Sequence, residues 1–537
     1  MRRVGLVAFL VLVGPPLVAR QLSSATPQSS PLFKISGTVV DAIKSEPVAR
    51  ANLSIQSVPD RETRTATADA KGRFTFDGVP PGKYALTAEA RGFTRQGYDQ
   101  HEGFFSAIVA GPGLISEGLV FRLKPDAVIT VKVRDEFDEP VRTGTARLFQ
   151  EEMEEGRQQV RLRGLAPLNE EGIGNFAHLP AGKYFVAVTA QPWYAQQYSP
   201  GSGADGRASL LDVAYPITYY GNTTEPAAAS PIRVQMGERT TAEVILTAVP
   251  SAHLEIVLPD ESAGASDGAT LEQLSFGGYP IEVEVQGVQT RPDHVQFHGF
   301  APGHYRLNLY RFADRKTTTR HREIDIAGDM DIESDGSELA AHPAVSGTVS
   351  FEGMTGVPPQ ALLQLIDSRS AQTVAAQISA AGEFEISGDV APGRYELQVA
   401  NAPGFAIDRL TAAGARVRGT SLEIDSSDSV RLKVTASRAL SKVEGVALQN
   451  KQPVAGAMVI LVPRDPQASP ARFRRDQSDS DGTFTLAAVL PGDYTVIAVG
   501  NWNLEWANRS ILRPYLSRGQ NLHVEANKQY QVAPQVQ

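Results

Sequence analysis

The sequence predicts an all-β protein of five tandem antiparallel β-sandwiches with Greek-key connections, in an elongated array. Two observations predict this fold. A Pro-Gly-x-Tyr corner, as in DGVPPGKYAL at residues 77–86, recurs along the chain, and alternating apolar runs flank its copies. The sequence also offers no convincing amphipathic helix. Closely spaced alternating strands without helices are typical of antiparallel sandwiches.

The copies of the corner share one pattern. An opening glycine precedes an alternating run, a Pro-Gly pair follows, and a tyrosine then begins a second alternating run. The second copy has its proline one place earlier, at Pro180, the third has Asp293 in place of the glycine, and the fourth is one residue longer, as a bulge would make it. We expect the glycine to take positive φ, the Pro-Gly pair to form a type II turn and the tyrosine to open a strand. The five copies lie at 71–90, 171–190, 293–310, 381–400 and 481–500, with their tyrosines at Tyr84, Tyr184, Tyr305, Tyr395 and Tyr494.

Five copies divide the chain into units of about 100 residues, an ordinary domain size. A matching hairpin lies upstream of each corner, as in AVITVKVRDEFDEPVRTGTARLF at 127–149. Because the linkers are short, we expect a rod-like string of beads. The predicted divisions are a signal peptide at 1–25, a linker at 26–33, and sandwiches at 34–124, 125–249, 250–342, 343–437 and 438–537.

The first residues indicate export. Arg2 and Arg3 precede an apolar run at 4–19, and small residues near Ala19 offer a cleavage site. The run is interrupted by two prolines and is too short to span a bilayer, although an uncleaved anchor is the alternative. We expect a secreted or periplasmic protein that does not insert into the membrane once the signal is removed.

Composition narrows the classes of partner. The 537 residues carry a net charge of −9 and contain no cysteine. An acidic chain has no global positive field for nucleic acid, so we expect no nucleic-acid partner. Without cysteine the protein forms no disulfides and cannot carry the lipidated cysteine of a bacterial lipoprotein.

The repeated pattern resembles a known family. SGTVVD, PVARANLSIQ and TATADAKGRFTFDGVPPGKYALTAEARGF in the first unit are similar to the carboxypeptidase regulatory-like domain, and so is the fifth unit. Units two to four are more diverged. The resemblance implies a transthyretin-like sandwich of the carbohydrate-binding-like fold, in an exported multi-repeat protein of the kind found in acidobacteria. Because one sandwich supports many functions, the function has to be argued from a site.

The sequence predicts no catalytic centre and no cofactor. His101-Glu102 and His321-Arg-Glu323 lack the spacing of zinc-peptidase ligands, and neither H-E-x-x-H nor G-x-S-x-G occurs. We interpret His294, His298 and His304 as surface residues, and the acidic stretch 329–338 as a linker rather than a calcium loop, so we predict no metal site. Asp479 and Asp481 are interpreted as turn residues.

A covalent cross-link is a further alternative. The related collagen-adhesin B-type repeats form a Lys–Asn isopeptide bond beside a glutamate four residues after the motif tyrosine. The corresponding positions here are all apolar: Ala88, Val188, Leu309, Val399 and Ala498. The residues therefore disfavour this bond.

What remains is binding. The second unit has a long excursion after its corner that is rich in residues able to stack on sugar rings or to bond sugar hydroxyls. We predict a carbohydrate site there, formed by Trp193, Tyr194, Tyr198, Tyr215, Tyr219, Tyr220 and Asn222. Polysaccharide or glycan is the expected partner. The alternatives are rings that only pack the excursion onto its own sandwich, as in a structural rod or a scaffold for envelope proteins, and an accessory subunit of a separately encoded peptidase.

Overall fold

The computed structural model describes residues 31–537 except for 59–60, 155, 196–210, 259–265, 284–287, 292–293, 314–315, 334–344, 368–372, 387–389, 391–392, 425–429, 439 and 466–471. The predicted signal peptide and Tyr198 lie outside the described residues, as does the second half of the acidic stretch, 334–338.

The first hydrophobic core lies between two facing sheets. One sheet has the order β4-β1-β8 and the other β3-β2-β5-β6, with β7 also paired to β5. Phe74 and Phe76 alternate with exposed residues on β4 and point into this core, as their spacing predicts. The strands are β1 (Phe33–Asp41), β2 (Asn52–Ser57), β3 (Thr63–Thr67), β4 (Arg73–Val79), β5 (Gly82–Glu89), β6 (Gln96–Gly97), β7 (Ile108–Ala110) and β8 (Leu119–Leu123).

The second core repeats this arrangement. Its strands are β9 (Ala127–Arg134), β10 (Gly144–Glu154), β11 (Arg157–Pro167), β12 (Ile173–Leu179), β13 (Gly182–Ala190), β14 (Val213–Ala214), β15 (Thr218–Tyr219), β16 (Ile232–Val234) and β17 (Arg239–Ile245). The sheets are β12-β9-β17 and β11-β10-β13-β15, with β16 also on β13.

A short strand, β18 (Val249–Pro250), pairs with β14 and leads into the third sandwich. The third sandwich has the sheets β22-β23-β19-β26 and β21-β20-β24-β25. Its strands are β19 (Ala252–Val257), β20 (Ser266–Leu274), β21 (Pro280–Glu282), β22 (Val288–Arg291), β23 (His294–Phe300), β24 (Gly303–Ala313), β25 (Lys316–Ile326) and β26 (Met330–Glu333).

The fourth core lies between the sheets β30-β27-β35-β32 and β29-β28-β31-β34-β33. Its strands are β27 (Val345–Glu352), β28 (Leu362–Asp367), β29 (Thr373–Gln377), β30 (Glu383–Ile386), β31 (Gly393–Ala400), β32 (Ala406–Ala413), β33 (Arg416–Arg418), β34 (Ser421–Ile424) and β35 (Arg431–Ser437).

The fifth sandwich has the sheets β41-β36-β44 and β40-β39-β42-β43, and a separate ribbon of β37 and β38. Its elements are β36 (Ser441–Val446), β37 (Leu448–Gln449), β38 (Gln452–Pro453), β39 (Met458–Pro463), β40 (Arg474–Gln477), β41 (Thr483–Val489), β42 (Gly492–Val499), α1 (Arg509–Leu516), β43 (Gln520–Val524) and β44 (Gln529–Val532). The prediction of an all-β chain of tandem sandwiches is confirmed, while the division points between them stay predictions.

The first strand of each sandwich pairs with its last strand in parallel. In the first sandwich, β1 runs antiparallel to β4 and parallel to β8. The close pairing needs a glycine, because a Cβ on Gly37 would lie 2.2 Å from the Leu119 carbonyl oxygen. The same parallel pairing joins β9 to β17, β19 to β26, β27 to β35 and β36 to β44. The sequence predicted antiparallel strands only.

The corner tyrosines close the corners by hydrogen bonds. The hydroxyl of Tyr84 donates to the carbonyl of Pro80 (2.9 Å), four residues earlier. Tyr184 donates to the Pro180 carbonyl at 2.6 Å, and Tyr494 does the same to Leu490 at 2.8 Å. Because burying a polar group without a partner is costly, these bonds explain why a tyrosine suits this position.

The two glycines of a corner differ in conformation. The opening glycines have the expected positive φ, with 70° at Gly72 and 79° at Gly482. The type II turn that we predicted is wrong. Gly82 and Gly492, with φ of 159° and 150°, are the first residues of β5 and β42 and do not have the φ near 80° that a type II turn requires.

Helix α1 is an element that the sequence analysis missed. The Asn508 side chain caps it by accepting a hydrogen bond from the Ser510 amide at 3.1 Å. Its buried Leu512 packs in a second cluster of the fifth sandwich with Trp502. Within the described ranges, the helices lack the length and apolarity needed to cross a bilayer.

The sandwiches do not contact only their neighbours in sequence. The first sandwich meets the fifth, for example through Lys83 Nζ and Asp479 Oδ2 at 2.5 Å. The fifth also reaches the second, where the Ala507 amide donates to the Gly156 carbonyl at 3.3 Å. A string of beads in contact only along the sequence is therefore wrong. Short linkers restrict adjacent sandwiches, but they do not prevent the chain from turning back on itself.

Candidate functional site

The candidate site begins at the turn that leaves β9. The buried Asp135 carboxylate accepts hydrogen bonds from the amides of Phe137 (2.9 Å) and Glu139 (2.8 Å). Asp138 has a φ of 65°, which a short polar side chain tolerates. This turn fixes Phe137 at the surface, where 69% of its side chain is exposed.

A second turn, directly after β13, brings two more rings to the same place. Trp193 is 78% exposed, and its ring packs edge-to-face on Tyr194, with the centroids 5.8 Å apart. Tyr194 in turn packs edge-to-face on Phe137 at 6.2 Å. We call Phe137, Trp193 and Tyr194 the aromatic patch. It is a half-buried tyrosine between two exposed rings.

Polar groups border the aromatic patch. The Tyr194 hydroxyl donates to the exposed Glu136 carboxylate, and it also bonds the hydroxyl of Tyr215. Burial and the Glu136 carboxylate raise the pKa of Tyr194 to about 12. Burial, with Glu136 as a smaller cause, also raises the pKa of Tyr215. Both phenols are therefore neutral hydrogen-bonding groups at neutral pH.

Other residues of the predicted site are not available for stacking. Tyr215 is buried in the second core, and Tyr220 packs against that core. Tyr219 is 2% exposed and donates to the hydroxyl of Ser275 in the third sandwich at 3.1 Å. These three rings have the packing role that the sequence analysis held as the alternative.

Asn222 belongs to a turn. It has a φ of 57°, and its side-chain oxygen accepts a hydrogen bond from the Ile245 amide at 3.0 Å. Of the six predicted residues that the structure describes, Trp193 and Tyr194 lie in the aromatic patch and the other four do not. Phe137 was missed. Its signal in the sequence is a single aromatic residue among charged residues in RDEFDEP, a stretch that otherwise reads as an exposed turn.

The histidines considered as metal ligands are paired with other groups. Nδ1 of His298 lies 3.3 Å from Nδ1 of His253, and Nδ1 of His304 lies 2.7 Å from Oδ1 of Asp325. His294 lies on β23 with His298. Across the described part of the chain, no three His, Asp or Glu side chains converge as metal ligands would.

A cavity separates the second and third sandwiches near Tyr215, Phe300 and Tyr305. Its volume of about 50 Å³ is comparable to that of one or two water molecules. A sugar ring does not fit there. The aromatic patch differs in being open to solvent.

The aromatic patch combines two kinds of surface that suit ligand binding. Exposed ring faces stack on the apolar faces of sugars, and a carboxylate accepts hydrogen bonds from hydroxyls. Glu136 has lone pairs beyond the one that Tyr194 uses. The arrangement therefore suits a ligand with one apolar face and a rim of hydroxyl groups.

One family model matches the chain. It describes the carboxypeptidase regulatory-like domain and covers residues 34–103. The resemblance that the sequence predicted is thereby confirmed for the first sandwich. No curated protein matches the chain.

Several solved structures match the chain with low sequence identity. The TIE protein of Bacillus anthracis is 10% identical, with 96% of this chain and 76% of that chain covered and a TM-score of 0.18. The minor pilin of Streptococcus agalactiae is 11% identical, with 43% and 99% covered and a TM-score of 0.23. A proposed carbohydrate-binding protein of Bacteroides uniformis is 14% identical, with 30% and 90% covered and a TM-score of 0.14. TM-scores this low imply nothing about function.

Proposed function

We propose that this chain, whose first sandwich is a carboxypeptidase regulatory-like domain, is an exported, non-catalytic protein that binds carbohydrate on its second sandwich. The observation that carries the proposal is the exposure of Trp193, at 78%, beside the exposed ring of Phe137. Keeping two large apolar rings in water is unfavourable for the free protein, and a ligand that covers them recovers this free energy.

Carbohydrate fits the aromatic patch better than a purely apolar ligand. The rings offer stacking surface, while Glu136 and the Tyr194 hydroxyl stand beside them as an acceptor and a polar partner. A sugar ring presents both kinds of surface at once. A lipid chain would remove water from the Glu136 lone pairs that Tyr194 does not use and would offer no hydrogen bond in return, which is costly.

A protein scaffold is the second candidate, and a specific observation favours it. Tyr219 and its neighbour Phe276 join the second sandwich to the third, with ring centroids 5.3 Å apart. Such rings serve the junction and not a ligand. On this alternative, the protein would place its sandwiches for another envelope protein and would bind no glycan.

Retention on a panel of insoluble and soluble polysaccharides tests the proposal. The purified mature protein should be retained by at least one of them, and Trp193→Ala should lower retention about tenfold, which corresponds to about 1.4 kcal/mol. Tyr219→Ala should weaken the contact between the second and third sandwiches but leave retention unchanged. Circular dichroism has to show that this variant is folded.

A matched control tests whether retention depends only on exposed apolar surface in general. Ile115 in the first sandwich is 80% exposed and lies far from the second-sandwich turns in sequence, so Ile115→Ala removes a comparable exposed apolar side chain. It should bind like wild type. Failure of wild type to bind any polysaccharide, or equal losses in Trp193→Ala and Ile115→Ala, would favour the scaffold.

A further inference from the structure

We propose that the fifth sandwich is a docking module for the first, so that the chain closes on itself through a specific lock. The lock consists of β40 and the following turn (474–483) on the fifth sandwich and residues 99–109 with Lys83 on the first. More than 370 residues separate the two sides. The proposal does not depend on carbohydrate binding.

Backbone groups of the first sandwich are satisfied by the fifth. The Ala107 amide donates to Asp479 Oδ1 at 2.9 Å, and the Val109 amide donates to Ser480 Oγ at 2.9 Å. In return, the Ser480 amide donates to the Ala107 carbonyl at 3.0 Å. Reciprocal bonds of this kind fix one register between the two surfaces, as a strand pairing does.

Comparison of the repeats shows that Asp479 is specialised for this contact. At the equivalent place in the first sandwich, the Asp69 carboxylate accepts from the Lys71 and Arg73 amides of its own turn, at 2.8 and 2.9 Å. Asn169 does the same in the second sandwich, where it accepts from the Ile173 amide at 2.8 Å. These side chains stabilise the local turn, as Asx residues commonly do.

Asp479 makes different contacts. Both of its oxygens bond the first sandwich, one to the Ala107 amide and the other to Lys83 Nζ at 2.5 Å. In this turn it is Asp481 whose side chain accepts a hydrogen bond from a nearby amide, that of Thr483 at 3.0 Å. Both residues belong to the turn, as the sequence predicts, since the Gly482 amide donates to the Asp479 carbonyl at 2.8 Å. The Asp479 side chain has the additional role in the lock, which the sequence does not predict.

A cation between aromatic rings forms the other half of the lock. The Arg475 side chain is only 8% exposed and pairs with Glu102 of the first sandwich. Its guanidinium lies 4.7 Å from the ring centre of Phe104 in the first sandwich and 4.5 Å from that of Trp506 in the fifth. Removal of this charge from water is favourable only when such partners are in place.

Two further contacts make the fit close. The His101 ring stacks on Trp502, with the planes 6° apart and the centroids separated by 4.8 Å. A Cβ on Gly456 would lie 2.3 Å from an Asp99 carboxylate oxygen, so the surfaces meet where Gly456 has no side chain. The contact thus combines paired charges, hydrogen-bonded amides and complementary shape, which are features of a specific interface.

Hydrogen exchange of the full-length protein tests the lock. In wild type, the amides of Ala107 and Val109 should exchange at least tenfold more slowly than unprotected amides. Asp479→Ala removes the acceptor of the Ala107 amide and the partner of Lys83. If the lock opens as a unit, exchange should also rise at the Val109 amide, whose own acceptor is Ser480 Oγ. The matched control is Asn169→Ala at the equivalent place in the second sandwich, which removes only bonds within its own turn and should leave both amides protected.

Two results of this experiment would overturn the proposal. One is exchange of the wild-type amides at the rates of unprotected amides. The other is an Asp479→Ala variant, still folded, in which both amides stay as protected as in wild type. Circular dichroism would show whether the Asp479→Ala variant unfolds globally. In that case Lys83→Met, which removes the other partner of the ion pair, takes its place in the experiment with the same expected outcomes.

Isotope mixing decides whether the lock forms within one copy. A carbodiimide should join Lys83 to Asp479 in an equimolar mixture of ¹⁵N-labelled and unlabelled protein. The pair Lys183 and Glu151, 2.7 Å apart within the second sandwich, is the internal control. Cross-links between like-labelled peptides alone support closure within one chain. Mixed-label cross-links of Lys83 to Asp479, or formation of only the control cross-link, would overturn it.

Discussion

At the residue scale, a partly buried carboxylate in the fifth sandwich is an unusual feature. Asp476 lies on β40, and its two oxygens accept hydrogen bonds from the Gln477 and Thr485 amides at 2.9 and 2.7 Å. These bonds favour its charged form. Burial outweighs them, with Asp479 adding to its effect and Lys83 opposing it, and raises the pKa of Asp476 to about 6.

This pKa predicts a pH dependence with an uncommon sign. Because the folded state binds this proton more tightly than the unfolded state, whose Asp pKa is about 3.9, the group should add stability as the pH falls from 7 to 4. The gain should be roughly 2–3 kcal/mol relative to Asp476→Asn, which cannot take up the proton. Denaturation followed by tryptophan fluorescence measures it, since Trp502 and Trp506 both lie in the fifth sandwich.

The comparison has to be made as a difference between the two proteins at each pH, because other carboxylates titrate in the same range and contribute to both. If wild type and Asp476→Asn changed stability in parallel between pH 7 and 4, the carboxyl would titrate normally. The claim that the folded protein raises the pKa of Asp476 would then be wrong.

At the scale of elements, the hairpins that open the first and second corners each depend on a glycine with two separate requirements. Gly72 has a φ of 70°, and a Cβ there would lie 2.5 Å from the Val39 carbonyl oxygen. Gly172 repeats this against the Val133 carbonyl, also at 2.5 Å. Positive φ disfavours other residues, and the close backbone approach excludes any side chain.

Alanine substitution separates the two requirements. Gly92 in the same sandwich has a φ of 83°, yet a Cβ there would meet nothing within 4 Å. Gly92→Ala should therefore cost only the strain of the left-handed conformation, about 1–3 kcal/mol. Gly72→Ala should cost more, because the hairpin must also shift away from β1. Hydrogen exchange of β1 and β4 measures the difference, and equal losses in the two variants would refute the close approach.

At the scale of the whole molecule, the sequence predicted the local features and missed those that depend on residues far apart. The corner is local, since Tyr84 bonds a carbonyl only four residues back. The five repeats and the sandwich fold follow from such patterns. The parallel pairing of β1 with β8, by contrast, joins Gly37 to Leu119. No period within a short window reports a pairing over that separation.

The candidate site was predictable for the same reason only in part. Trp193 and Tyr194 belong to the aromatic excursion that the sequence revealed, but Phe137 reaches them from a different turn. Composition also could not distinguish exposed Trp193 from buried Tyr219, because both occur in one aromatic-rich stretch. The role of Asp479 in the lock could not be predicted either, because its side chain bonds Lys83, hundreds of residues away in the sequence.

The central claim is that carbohydrate stacks on Trp193, and tryptophan fluorescence tests it most directly. Trp193 is 78% exposed, whereas Trp502 is 8% exposed and Trp506 is partly buried, so an aqueous quencher acts mainly on Trp193. Soluble oligosaccharide from a polysaccharide that retains the protein should shift the emission to shorter wavelength and protect it from iodide, in a saturable way. Trp193→Phe should show neither change. If the glycan bound with the emission and the quenching of wild type unchanged, the sugar would lie elsewhere and the account of this site would be wrong.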